Sequence, residues 1–506
     1  MTAASKPPHV LLLSVPGLRP EDLSRMPALA ALAALGGKVL LAPSFPAVTC
    51  PVQATLTTGA APRGHGIVAN GIYDRSSRDV EMWISPDSVH RRDRIWDRLK
   101  SARPELRTAA WFLLQSKHAT ADLVCLPAPR HNADGTETMW CHTNPEPLYA
   151  SLRETLGDFP LHKFWGPLAG IDSTRWIVRS FLEAAKEAPP HLAVVYLPHL
   201  DYAAQRAGPD SQAAHAACGE LDSEIATLVE GFGALVGIEQ VTVLVAGEYR
   251  IRAVTHASLP NRTLREAGLL VVKDSPDGEV IDMEKSQAWA LADHQVSHIF
   301  LKLGLAREER DKLVQRIHTL FDRRRGVKQV YSGAALIGAG LSETPVPSMK
   351  SRCGDVVIES TPDSWQAYQY WLSDAKAPRF ARTIDIHKKP GYDPLELFID
   401  RTAAPPPGMP FGIPLDTSLV KGSHGAIDAD DPHETLLVCS RPDVIGSEPL
   451  HARDLAGIIL RQFQSPAGTG LKITASESRP PAAARVHPPG DGRRRRGQCL
   501  PGGWWL

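Results

Sequence analysis

The chain has 506 residues, 43% hydrophobic and 22% charged, with 56 basic and 56 acidic side chains. That is the composition of a soluble globular protein with enough apolar content for a large core, and a net charge of zero removes the electrostatic footprint of a nucleic-acid binder. Its seven cysteines include no CxxC pair, which argues against a thiolate zinc site or a disulfide framework and for a reducing, cytoplasmic setting. No apolar run is long enough to span a bilayer.

The first strand is predicted over His9–Val15, a short run apolar on both parities between Pro7-Pro8 and Pro16-Gly17, the pattern of a parallel strand buried on both faces. A helix follows from Pro20 through Leu35, with Glu21 and Asp22 in its first turn, where they suit the dipole. Further strands are expected at 192–197, 241–246, 269–272, 297–301 and 435–439. Helices are expected at 211–236, 307–323 and 452–463. This alternation predicts an α/β fold around a mostly parallel sheet. Two stretches break the rhythm, residues 71–170 and 325–415, and read as insertions or cap elements near a site. Beyond Gln464 a Pro-, Arg- and Gly-rich tail, 465–506, lacks periodicity and is expected to be disordered. Residues 1–464 form the expected folded domain.

The segment from Ser44 to Gly59 carries the chemistry. Thr49 is placed as a helix N-cap, with Pro51 just inside the helix and Gly59 near its end. A hydroxyl there either caps the helix or acts as a nucleophile beside a bound phosphate, since the helix end offers N–H donors and positive partial charge. No GxxxxGK[ST] loop, no GxGxxG after the first strand and no GxSxG occurs, so a P-loop NTPase, a dinucleotide oxidoreductase and a serine hydrolase elbow lack support.

Phe45-Pro-Ala-Val-Thr49, Thr58-Gly-Ala-Ala-Pro62 and His65-Gly-Ile-Val-Ala-Asn70 together resemble the nucleophile segment of the nucleotide pyrophosphatase/phosphodiesterase family, in the alkaline phosphatase superfamily. Asp201…Gln205…Gly208-Pro209, Glu248-Tyr249 and His424-Gly425 follow in the family's order, and the resemblance spans residues 9–463. It implies an alkaline-phosphatase-like α/β/α sandwich with cap insertions and hydrolysis of phosphodiester or pyrophosphate bonds in a small phosphorylated substrate. It also implies one or two divalent metal ions, zinc foremost with manganese as the alternative. Matched position by position, Thr49 is the nucleophile and Asn70 a donor to phosphate oxygen. Asp201 and His424 hold one ion, and Glu248 contributes to the second.

Four positions depart from the family pattern. Pro16 stands where an aspartate is expected, Gln205 where a histidine is, and Glu248-Tyr249 replaces an Asp-His pair. Asp201, Glu248 and His424 do not suffice for two full zinc sites. Additional ligands or acid–base groups are sought in Gln205, Tyr249, the His294/His298 pair and the Asp385-Ile-His387 cluster. His294 and His298, four apart, are expected to share a face. The substitutions keep a second reading open, a pseudoenzyme or phosphorylated-ligand binding protein with a degenerate metal site.

Overall fold

The computed structural model describes residues 7–83, 86–131, 137–385, 389–402, 405–406 and 410–464. The elements used below are, in chain order, β1 (His9–Val15), β2 (Gly37–Ala42), β3 (Thr108–Trp111), β4 (Leu123–Pro127), β5 (Cys141–Asn144), β6 (Leu192–Tyr196), β7 (Val241–Gly247), β8 (Ala288–Asp293), β9 (Val296–Leu301), β10 (Val327–Ser332), β11 (Val356–Ser360), β12 (Thr435–Cys439) and β13 (Leu450–His451).

Nine strands form the main sheet in the order β13-β2-β12-β7-β1-β6-β3-β4-β5. Its centre is parallel: β1 pairs with β6 and β7, β6 with β3, and β3 with β4. Only β12 and β5 run against their neighbours. Val10–Leu13 and Val15 are fully buried, as a strand flanked on both sides and covered on both faces requires. The helices form two packed groups, the outer layers of the sandwich. Pro27–Gly36, Ile171–Ala185, His199–Ala207 and Gln212–Val236 make one; Thr49–Thr58, Ile95–Ala102 and Leu455–Arg461 make the other.

A smaller antiparallel sheet, in the order β8-β9-β11-β10, has its own apolar core built on Trp289, Ile299, Phe300, Ile317 and Ile358. The β8–β9 hairpin turns at His294-Gln295, and this tip reaches the loop that carries His424: the Gln295 N–H donates to the His424 carbonyl at 2.8 Å.

Several expectations need correction. Residues 71–170 are not wholly an excursion from the sheet, because β3, β4 and β5 lie within them and complete one side of it. These strands are only four or five residues long and separated by irregular segments, so they leave little periodic signal. Residues 325–415 supply β10 and β11 to the smaller sheet, which begins earlier, at Ala288. The helix expected over 20–35 is broken into a 3-10 turn, Pro20–Arg25, and a helix, Pro27–Gly36. Pro27 disfavours helical dihedrals at the residue before it, and Met26 sits at φ −125°, ψ 75°. The strand expected at 269–272 is instead a short hairpin from Val272–Ser275 to Gly278–Ile281. The last helix is shorter than expected, Leu455–Arg461 behind a 3-10 turn. The expected disordered tail lies outside the described residues. Among the described residues no helix is long and apolar enough to cross a membrane, and all six cysteines are free and buried.

Candidate active site

The site lies where β1, β6 and β7 end. Helix Thr49–Thr58 is buried along its whole length although half its residues are polar. Thr55, Thr57 and Thr58 turn their hydroxyls back onto carbonyls four residues earlier, at 2.6–2.9 Å, which satisfies them inside the helix. Gly59 ends it at φ +72°, its N–H donating to the Thr55 carbonyl at 2.9 Å, with Ala456 so close that a side chain would crowd it.

Thr49 is the first residue of this helix and Val48 is its N-cap, so the expectation that Thr49 caps it is corrected. Its hydroxyl is bonded to the Tyr249 phenol at 3.0 Å. Tyr249 in turn donates to Asp201 Oδ1 at 3.3 Å, and Gln205 Nε2 donates to Asp201 Oδ2 at 2.6 Å. Asp201 and Gln205 lie one turn apart on helix His199–Ala207, so both reach the same point. Tyr392 completes the chain by donating to Gln205 Oε1 at 2.7 Å.

His424 donates from Nδ1 to the Ala47 carbonyl at 2.8 Å, which leaves a lone pair on Nε2. That atom is buried without a hydrogen-bond partner, 3.9 Å from Asp201 Oδ1. The Tyr249 ring lies flat on the imidazole, 3.6 Å away and 4° from parallel. His294 stacks on Tyr392 at 3.6 Å and lies tilted by 40° against His424 at 3.9 Å, held by Asp293 at 2.7 Å and by a left-handed backbone, φ +57°, a conformation that is uncommon outside glycine and favoured by the tight turn.

Glu248 follows β7 directly. Its Oε1 accepts from Ser14 at 2.6 Å and Gln53 at 3.0 Å, while Oε2 is buried and bare. Burial pushes Asp201 up to about 7 and Glu248 up to about 8, and raises Asp293; it holds His294 and His424 well below the usual imidazole range. Among the described residues neither lysine nor arginine pairs with any of these three acids.

Asn70 sits beside Thr49 but is already engaged. Its Oδ1 accepts the Cys50 N–H at 2.9 Å, and its Nδ2 donates to Asp293 at 2.9 Å, which leaves one amide proton for a ligand. His298 is not part of the site. It points away from His294, with Nε2 on the Val68 carbonyl and Nδ1 accepting the Gly354 N–H, because His294 occupies the turn and His298 the strand. Asp385 is engaged elsewhere too, its N–H donating to Glu396 at 3.0 Å; Glu396 belongs to a buried cluster with Lys389, Asp393 and Trp165. His387 lies outside the described residues.

Sequence reading missed Ser14, Gln53 and Tyr392. Ser14 is the one polar residue inside a buried strand, and Gln53 is one helical turn from Thr49, so both carried a signal. Tyr392 carried none.

The implied metal centre was weighed against these donors. Both oxygens of Asp201 and one of Glu248 are taken by phenol, amide and hydroxyl donors, and among the described residues no group of three His, Cys, Asp or Glu side chains is placed to hold an ion. A structural zinc site needs four ligands, and a catalytic one three. The residues present do not fit the two-ion centre that the resemblance implies.

Comparisons with known proteins agree on the class of fold, an alkaline-phosphatase-like α/β scaffold. Murine ectonucleotide pyrophosphatase/phosphodiesterase 5 superimposes with a TM-score of 0.55 at 14% identity, covering 90% of this chain and 95% of that one, both alone and as an inactive variant in complex with AMP. Phosphonoacetate hydrolase from Sinorhizobium meliloti 1021, in complex with phosphonoformate, also gives 0.55, at 16% identity over 90% of this chain and 96% of that one. At that identity the likeness shows the fold. Residues 10–393 match the family described as type I phosphodiesterase / nucleotide pyrophosphatase, and the chain belongs to it. A Schizosaccharomyces pombe protein (strain 972) named "uncharacterized pyrophosphatase/phosphodiesterase" is 26% identical over 229 residues, 44% of this chain; the match spans 40% of that protein's length. The family is one of phosphodiester and pyrophosphate hydrolases that generally depend on divalent metals.

Proposed function

We propose that the chain hydrolyses a phosphodiester or pyrophosphate bond in a small phosphorylated substrate, with Thr49 as the nucleophile. The observation that carries this reading is the use of the Thr49 hydroxyl. It is released from capping duty at the start of a buried ten-residue helix and held by Tyr249, which is bonded to Asp201. Attack at phosphorus forms the Thr49 Oγ1–P bond as the bond to the leaving oxygen breaks, and the leaving group departs with the electron pair. The Thr49 proton has a path, onto Tyr249 as the phenol proton passes to Asp201. Hydrolysis is completed when a water attacks the phosphothreonine, the Oγ1–P bond breaks and Thr49 takes back a proton along the same path. The positive end of the helix dipole and the remaining Asn70 amide proton are the groups beside Thr49 that favour a phosphoryl oxygen.

The zinc or manganese ion implied by the resemblance enters no step of this scheme, because the donor set does not fit it. The test is Thr49→Ala. Turnover of an aryl phosphodiester is expected to fall by at least about 10³-fold, the scale for removing a nucleophile, with an unchanged melting temperature. Retained turnover would remove Thr49 from the mechanism.

A second reading, a binding protein for phosphorylated ligands, is favoured by the bonds that Gln205 and Tyr249 make to Asp201. A panel of nucleotides, diesters, monoesters and phosphonates separates the two. Calorimetric binding without turnover of any member would favour the second.

A further inference from the structure

We infer that this site has exchanged its divalent cations for a closed set of neutral hydrogen-bond donors, and that the protein carries no resident metal ion. The inference concerns the site of the proposed reaction but is read out independently of turnover.

Gln205 and Tyr249 carry the exchange. Gln205 presents its Nε2 to Asp201 Oδ2 at 2.6 Å, and its carbonyl end is occupied by the Tyr392 phenol at 2.7 Å. The reversed amide would set an oxygen against a carboxylate oxygen at that distance, so the side chain shows a cation its positive end. Tyr249 does the same for the other carboxylate oxygen. Its ring is clamped flat against His424 at 3.6 Å, and that stacking aims the phenol between Thr49 and Asp201. A neutral phenol is a poor ligand, and burial beside Asp201 and Glu248 opposes its ionisation. At Glu248, Ser14 and Gln53 converge on one oxygen. Gln53 is itself fixed, its Oε1 accepting the Leu114 N–H at 2.9 Å. What remains for an ion is His424 Nε2 and Glu248 Oε2, with the neighbouring His294 imidazole adding its Nε2, and among the described residues no three such groups converge as zinc requires.

The experiment is elemental analysis and thermal melting of the full chain purified in zinc- and manganese-supplemented medium. A small fraction of one metal equivalent per chain is expected, with a melting temperature that neither chelator nor added zinc moves. One equivalent or more, or a fall in melting temperature on chelation, would overturn the inference. The reciprocal variant Gln205→His with Tyr249→His supplies two imidazoles at the positions held by neutral donors. It is expected to take up zinc and to melt higher with zinc than without. If it folds but takes up no more metal than the parent, these two residues are not what excludes the ion and the assignment fails. If it does not fold, the single Gln205→His variant carries the same comparison.

Discussion

Two buried histidines away from the site show how single residues set the acid response. His65 and His298 each hold the neutral Nε2–H form: Nε2 donates, to Thr55 in one case and to the Val68 carbonyl in the other, while Nδ1 accepts a backbone N–H from Ile67 or Gly354. A proton on Nδ1 would break the second bond inside the protein, and burial pushes their pKa values down to about 3 and about 4. The unfolded chain takes up these protons near the ordinary imidazole value of about 6.5. The stability they contribute is therefore complete above pH 6.5 and is lost as pH falls from there towards 4. The part of the melting temperature that these two histidines supply is expected to decline over that window, against the opposite trend of the raised Asp201 and Glu248 carboxyls. Ring nitrogen NMR is expected to show both imidazoles still neutral at pH 5.5; protonation of either near 6.5 would contradict the assignment.

At the scale of elements, the site is a junction of five pieces: the start of helix Thr49–Thr58, the loop bearing His424, the β8–β9 hairpin, helix His199–Ala207 and the end of β7. Asn70 ties the first to the third, accepting from Cys50 and donating through both its backbone N–H and its Nδ2 to Asp293. Asn70→Ala leaves the Cys50 N–H and one Asp293 oxygen without these partners in a buried setting. A loss of roughly 1–3 kcal/mol is expected in urea unfolding. Turnover is expected to fall as well, since the turn that places His294 loses its link to the helix. A variant as stable as the parent would mean that the helix start is held by other contacts. Helix and strand positions were largely legible in sequence: β1 and β12 fall on the residues expected, and the helix expected over 211–236 runs Gln212–Val236 with Ser211 as its cap. β3 to β5 were not, because four-residue strands between irregular segments carry too few periods to register.

For the whole molecule, the last described helix matters most to where folding ends. Leu455, Ile458, Ile459, Leu460 and Phe463 are buried in the main core, so the expectation that the folded domain runs through residue 464 becomes a proposal with a direct test. A chain truncated after Gln464 is expected to melt with the full-length protein, whereas one truncated before Leu455 is expected not to fold. Early melting of the first would assign the tail a structural part.

The sequence by itself determined the class of fold and, through its family resemblance, a set of candidate site residues. Buried parallel strands, helix ends and a nucleophile segment are written in local order, and local order is what periodicity and motif spacing report. Thr49 was read there as a helix-end hydroxyl, and the resemblance to the phosphodiesterase family implied the positions of Asp201, Gln205, Glu248, Tyr249 and His424. Only the tertiary structure decided what they do together. Whether Tyr249 faces a cation or Asp201, which end Gln205 turns inward, and that His294 joins while His298 leaves depend on Tyr392, Ser14 and a hairpin tip, residues distant in the chain from those they orient. Hydrogen-bond direction is settled by the partner across the fold, and no spacing along the chain encodes it.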